Sequence, residues 1–198
     1  MKRNYENLML EQIERMQGRK KLLLHSCCAP CSSACLERLK EYFDITVLYY
    51  NPNIDESGEY EKRKAEQIRF LNETGWADFL DCDHEKERFF EAVLGLEQEP
   101  ERGKRCYVCY KLRLERSAQI AKEKGFDFFA TTLTLSPYKN AEWLNEIGEE
   151  VGGRYEVNYL YTDFKKKGGY HRSIALSKDY GLYRQDFCGC KYSKRNRE

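Results

Sequence analysis

No stretch of the 198 residues is long and apolar enough to cross a membrane; the longest apolar runs are short and interrupted. The opening residues, Met-Lys-Arg-Asn-Tyr-Glu-Asn-Leu-Met-Leu, are too polar for a secretory signal. A charge excess of either sign is also missing. Lys and Arg number 34 against 33 Asp and Glu, a formal charge of +1, so no global field draws the chain to nucleic acid or acidic surfaces. There is no internal repeat, low-complexity stretch or clear linker, and histidine occurs three times. These absences predict a cytoplasmic protein in which thiols stay reduced. The length suits a single domain over 1–198, and its cysteine-bearing last segment, about 180–198, is expected to return to a metal site.

Cysteine is what the chain does have, nine times. A disulfide scaffold would normally be small, secreted and even in cysteine count. In a reducing compartment, metal binding or redox catalysis is the expected use. The hydrophobic fraction of 41% supports a core without covalent staples.

Local patterns predict alternating elements. Leu8, Ile13 and Met16 set an amphipathic helix over about 4–17. Lys20 to His25 is a short apolar run suited to a buried strand. Pro30 sits where the next helix can begin, with Leu36 and Leu39 on its apolar side. Strands are expected over 44–50, 76–81, 126–131 and 155–159. Helices are expected over 57–72, 83–94, 106–124 (closed by Gly125), 141–151 (ending at Gly152-Gly153) and 173–178. Residues 132–140 read as a loop. Strands alternating with helices require crossovers, hence an α/β fold with a mostly parallel sheet. Ligands of such sheets sit beyond the carboxyl ends of the strands, which singles out His25-Ser26-Cys27-Cys28-Ala29-Pro30-Cys31.

The cysteines fall into groups: Cys27, Cys28, Cys31 and Cys35; Cys106 and Cys109; and Cys188 and Cys190, with Cys82 alone. Thiolates select zinc, copper(I) or iron–sulfur clusters. Cys106 and Cys109, three apart at a helix start, project to one side, and the helix dipole favours their thiolates. Cys27 and Cys28 precede another helix start. Two such pairs offer four ligands, enough for one cluster. The pairs lie about eighty residues apart, and one is an adjacent pair, unlike a zinc ribbon. Cys31 is equally readable as ligand or bystander, and Cys35 and Cys82 as buried thiols. Cys188 and Cys190, flanking Gly189, can share a metal or form a strained, easily reduced disulfide. His25 adjoins the cysteine loop and suits hydrogen bonding around the site better than ligation. His84 reads as exposed helix, and His171, after Gly168-Gly169-Tyr170, as part of a phosphate-holding turn.

Six stretches in order then match a known family: His-Ser-Cys-Cys-Ala-Pro-Cys from 25, Tyr-Asn-Pro-Asn-Ile from 50, Cys-Tyr-Val-Cys-Tyr-Lys-Leu-Arg-Leu from 106, Thr-Thr-Leu-Thr-Leu-Ser-Pro-Tyr-Lys-Asn from 131, Gly-Tyr-His-Arg-Ser from 169, and Leu-Tyr-Arg-Gln-Asp-Phe-Cys-Gly-Cys from 182. The chain resembles the epoxyqueuosine reductases of the QueH type over about residues 20–193, with no departure in the cysteine positions. The resemblance implies a Rossmann-like fold related to nucleotide α-hydrolases, with helices on both faces of the sheet. It implies cobalamin-independent reduction of epoxyqueuosine in tRNA to queuosine, with electrons from an external donor. It further implies a 4Fe–4S cluster on Cys27, Cys28, Cys106 and Cys109. Cys188 and Cys190 would then be a redox-active pair or ligands of an added mononuclear metal such as iron.

Substrate contacts are expected from Tyr49, Tyr50, Tyr107, Tyr138 and Tyr183 by stacking. Phosphate contacts are expected from Lys165-Lys166-Lys167 and the tail Lys191, Lys194, Arg195 and Arg197. An ATP-dependent tRNA-thiolation enzyme of PP-loop type would need Ser-Gly-Gly after the first strand, where this chain has Ser26-Cys27-Cys28. A zinc-stabilised binding module is the other alternative, and it would be colourless.

Overall fold

The computed structural model describes residues 3–194. Five strands form one parallel sheet: β1 (Lys20–His25), β2 (Phe43–Tyr49), β3 (Asp78–Asp81), β4 (Phe128–Thr131) and β5 (Asn158–Tyr159), in the order β3-β2-β1-β4-β5. The helices are α1 (Tyr5–Glu14), α2 (Ala29–Leu39), α3 (Ser57–Thr74), α4 (Lys86–Ala92), α5 (Lys104–Glu123), α6 (Ala141–Tyr155), α7 (Gly169–Asp179) and α8 (Lys191–Lys194). Alternation along the central strand decides which face each helix covers. Leu22 and Leu24 of β1 pack with Leu36 and Leu39 of α2, Phe70 of α3 and Leu176 of α7. Leu23, between them, packs with Leu114 of α5 and with Leu144 and Ile147 of α6. Both faces are therefore apolar and covered, as a parallel sheet requires.

The chain winds from β1 outward to β3, then crosses to β4 on the other side of β1. The reversal falls between β1 and β4, where His25 is in register with Thr131. The carboxyl ends of two adjacent strands thus open into one crevice, the usual ligand position of this fold class.

Several element bounds differ from the sequence expectation. Helix α6 does not stop at Gly152-Gly153 but continues to Tyr155 and ends on Glu156 in the left-handed region at φ 54°. Gly152 is there for close approach: an added Cβ would lie 2.8 Å from the Val157 carbonyl oxygen. Strand β5 is correspondingly only two residues long. Helix α7 starts four residues early, at Gly169, because Gly168 at φ 76° turns the chain into it. The segment after β4 opens with a 3-10 turn, Thr132–Leu135, rather than an irregular loop. Helix α4 is shorter than expected and leaves His84 outside it.

Candidate metal centre

The loop leaving β1 is held before any metal is considered. The Ser26 N–H donates to the Leu48 carbonyl at 2.9 Å, and Asn51 Nδ2 donates to the Ser26 carbonyl at 2.8 Å. Ser26 and Ser32 hydroxyls both donate to Gln67 Oε1, at 2.8 and 3.0 Å. Cys28, extended at φ −175°, caps α2, and Pro30 lies in the first turn, where no helical N–H is required. This geometry gathers Cys27, Cys28 and Cys31, whose sulfurs all lie within 4.8 Å of one another. The triad could hold a metal ion, and its all-sulfur character fits a soft one. Hydrogen bonds from Cys28 and Cys31 hold the Cys27 thiol well below its usual range. Cys28 Sγ also accepts from Gln185 Nε2 at 2.8 Å.

Across the crevice, α5 presents Cys106, Cys109 and Arg113, spaced three and four residues apart and hence on one face. Cys106 Sγ accepts the Arg102 N–H at 3.2 Å. Cys106, Cys109, Cys188 and Cys190 line one small cavity of about 20 Å³ together with Arg113 and Lys139. Burial pushes Cys109 up to about 11 and also raises Cys106; Cys190 is pushed up to about 12. The helix-dipole expectation for Cys106 and Cys109 is therefore corrected: desolvation outweighs it, and a bound metal is what would hold these sulfurs as thiolates. The 4.8 Å sulfur group does not include Cys106 and Cys109.

A larger cavity of about 390 Å³ adjoins this one and shares Arg113, Lys139 and Cys188 with it; Cys27 and Cys31 form part of its wall. The chain after α7 reaches both cavities. Lys139 Nζ lies 3.8 Å from Cys188 Sγ, and Arg63 donates to the carbonyls of Phe187 and Cys188 at 3.2 and 3.3 Å. Gly189, at φ 94°, packs against Ile54 and accepts the Asp55 N–H at 3.2 Å. A side chain at position 189 would be strained by that φ and crowded by Ile54. Cys188 and Cys190 are free thiols.

The remaining predicted residues divide clearly. His25 is fully buried: Nε2 lies 2.9 Å from the Tyr50 carbonyl and Nδ1 3.0 Å from Thr131 Oγ1. Both ring nitrogens are occupied, so it braces the sheet ends and is no ligand; burial lowers it to about 3, so it is neutral. His84 is half-buried, stacked on Tyr60 at 3.7 Å and bonded to the Ile54 carbonyl at 2.7 Å, not an exposed helical residue. His171 is exposed on α7. Cys35 is buried, its thiol donating to the Cys31 carbonyl at 3.2 Å, whereas Cys82 is only partly buried.

Of the five tyrosines, Tyr49 is core because β2 is covered on both faces, and Tyr50, just past the strand, packs in the cluster with Leu23 and Leu114. Tyr107 packs edge-on against Trp143, and Tyr183 bonds Glu59 beneath the Lys62 ammonium. Tyr138 alone among them is exposed, at 65%, and it borders both cavities. Lys165 and Lys166 pair with Asp163, and Lys167 with Glu6, so much of that charge is met internally. Lys191 lies 4.1 Å over the Phe90 ring; the Lys194 side chain, Arg195 and Arg197 lie outside the described residues. Sequence reasoning did not single out Arg113, Lys139 or Gln185. Arg113 had a signal, its position on the Cys106–Cys109 face; Lys139 and Gln185 sit in aperiodic segments with none.

Comparison with known proteins gives a consistent result. The sequence model described as "Epoxyqueuosine reductase QueH" matches residues 22–196. Curated relatives bearing that same name include one from Staphylococcus epidermidis, 43% identical over 96% of this chain and 84% of its own length. Another, from Streptococcus pyogenes serotype M1, is 42% identical over 96% of this chain and 78% of its own. A more distant one, from Thermotoga maritima, is 34% identical over 87% of this chain and 89% of its own. With six motifs in order, a parallel sheet that opens at the cysteine loop, and matches of this extent, the chain belongs to the epoxyqueuosine reductase QueH family.

Proposed function

We propose that this chain reduces epoxyqueuosine in tRNA to queuosine in the cytoplasm, with a 4Fe–4S cluster bound by Cys27, Cys28, Cys106 and Cys109. The observation that carries the reading is that Cys27 and Cys31 of the β1–α2 loop line one cavity, Cys106 and Cys109 of α5 line the adjoining one, and Arg113, Lys139 and Cys188 border both. The reaction balances as epoxide plus two electrons and two protons giving alkene and water, the electrons coming from an external donor. When bound, the cluster supplies electrons one at a time.

The chain's own residues account for the rest. The 390 Å³ cavity can enclose a modified base, and Tyr138 at its rim offers a ring for a neighbouring base to stack on. Lys139 brings positive charge to the wall beside which the departing oxygen becomes negative. Cys188 and Cys190 are assigned as the catalytic pair, passing electrons as a dithiol or holding a mononuclear iron. Iron counting on anaerobically prepared protein separates those two forms. The Ser26-Cys27-Cys28 loop places two thiols where a PP-loop enzyme needs glycines to admit phosphate, which disfavours an ATP-dependent reaction.

Anaerobic incubation of reconstituted protein with epoxyqueuosine-containing tRNA and a chemical reductant tests the reading by nucleoside mass spectrometry. Queuosine should accumulate with wild type and fall by at least tenfold with Cys188→Ser, Cys190→Ser. No queuosine from a cluster-loaded wild type overturns the activity; full activity of the double variant overturns the assigned pair.

A further inference from the structure

Arg113 is 1% exposed and has no ordinary reason to be so. Its Nη1 donates to Asn51 Oδ1 at 3.3 Å, and its Nε and Nη2 have no hydrogen-bond partner among the described residues. Asn51 is itself fixed, through Nδ2, to the Ser26 carbonyl beside Cys27. A buried guanidinium bonded to one neutral amide is costly, and it persists only where a negative charge offsets its desolvation. The other charged groups bordering the same cavities are Glu101 and Lys139 on both, Arg63, Arg184 and Asp186 on the larger and Arg105 on the smaller; neither carboxylate is hydrogen-bonded to Arg113. Burial opposes the charge on Arg113, while Cys109, Cys188 and Cys27 favour it. Arg113 lines the smaller cavity with Cys106, Cys109, Cys188 and Cys190 and the larger with Cys27, Cys31 and Cys188, so one side chain borders all three cysteine groups. Lys139, which among the described residues has no carboxylate hydrogen bond and lies 3.8 Å from Cys188 Sγ, adds a second cation on the same wall.

We infer that Arg113 is a positioning residue for the redox centre: braced by Asn51, it is the fixed counter-charge against which the bound cluster is reduced. The inference rests on the iron–sulfur reading above and extends it. Each added electron makes a thiolate-bound cluster more negative, so a fixed cation nearby stabilises the reduced form and raises the reduction potential. Net charge and hydrogen bonds near the sulfurs are the levers a protein has on that potential. The open donors Nε and Nη2 are the groups that would act on the sulfur atoms.

The test is an anaerobic redox titration of the reconstituted full chain, followed by visible absorbance and electron paramagnetic resonance. Wild type, Arg113→Gln and Arg113→Lys are compared at equal iron content. Arg113→Gln should show a lower midpoint potential, a harder reduction, and Arg113→Lys should return toward wild type. Equal midpoints for Arg113→Gln and wild type overturn the inference. Should Arg113→Gln not fold or not retain iron, Arg113→Lys decides. Iron held near the wild-type midpoint supports the counter-charge, and iron lost from a folded Arg113→Lys overturns it in favour of a packing role. A wild type with no iron–sulfur spectrum overturns the cofactor reading as well, whereas a loaded wild type with unshifted variants overturns this inference alone.

Discussion

Tyr138 keeps 65% of its surface exposed although its neighbours are held in place. Arg102 donates from Nη2 to the Pro137 carbonyl at 2.9 Å and from Nε to the Tyr138 carbonyl at 3.1 Å. A rigid backbone carrying an exposed ring at a cavity rim suits base stacking. Base–aromatic stacking contributes about 1–3 kcal/mol per base. Tyr138→Ala should therefore weaken tRNA binding by roughly fivefold to 150-fold, with the thermal midpoint unchanged. Filter binding alongside thermal denaturation checks it, and unchanged affinity removes the stacking role. Arg113 and Tyr138 also show how residue-level reading of the sequence fares. The cysteines announce themselves by type and spacing, and His25 by its place at a strand end. Tyr49 and Tyr138 look equally able to stack in a sequence. Only the two-sided cover of β2 sends the first into the core, and that cover is supplied by residues distant in sequence.

Two elements fix how the cavities are walled. Helix α7 approaches so closely at Gly169 that an added Cβ would overlap the Phe164 carbonyl. Gly169→Ala should thus destabilise the fold by about 1–3 kcal/mol, read as a lower urea midpoint; an unchanged midpoint would show that the chain can shift at no cost. The glycine of the Gly-Tyr-His-Arg-Ser stretch is explained by this contact, without a phosphate-holding turn. The loop bearing Ile54, on which Gly189 rests, is tied to His84. Burial, followed by a smaller opposing effect of the Ile54 carbonyl bond, holds the His84 pKa below its usual range. The neutral ring is therefore the folded form. Its stabilising contribution is complete above the ordinary imidazole pKa near 6.5 and is lost as pH falls below it. Between pH 8 and pH 5, wild type should lose more of its urea midpoint than His84→Gln; parallel loss would show that His84 does not couple to folding. Element types were legible from apolar periodicity, and the β1, α2 and α5 starts nearly to the residue. Gly152-Gly153 was not, because a glycine that ends a helix and one that lets a helix approach a strand read alike until the partner strand is known.

For the molecule as a whole, the strand order brings loops from distant parts of the chain to one rim. Alternation of strands and helices foretells a parallel sheet, but not that β4 lies beside β1; that pairing sets the α5 cysteines opposite the β1–α2 loop. The central claim is that these sulfurs surround iron. Crystals grown anaerobically from iron-loaded protein, with anomalous data collected on both sides of the iron edge, test it most directly. Iron peaks should lie against the sulfurs of Cys27, Cys28, Cys106 and Cys109. Peaks at the zinc edge alone, or iron bound away from those four sulfurs, would contradict the account.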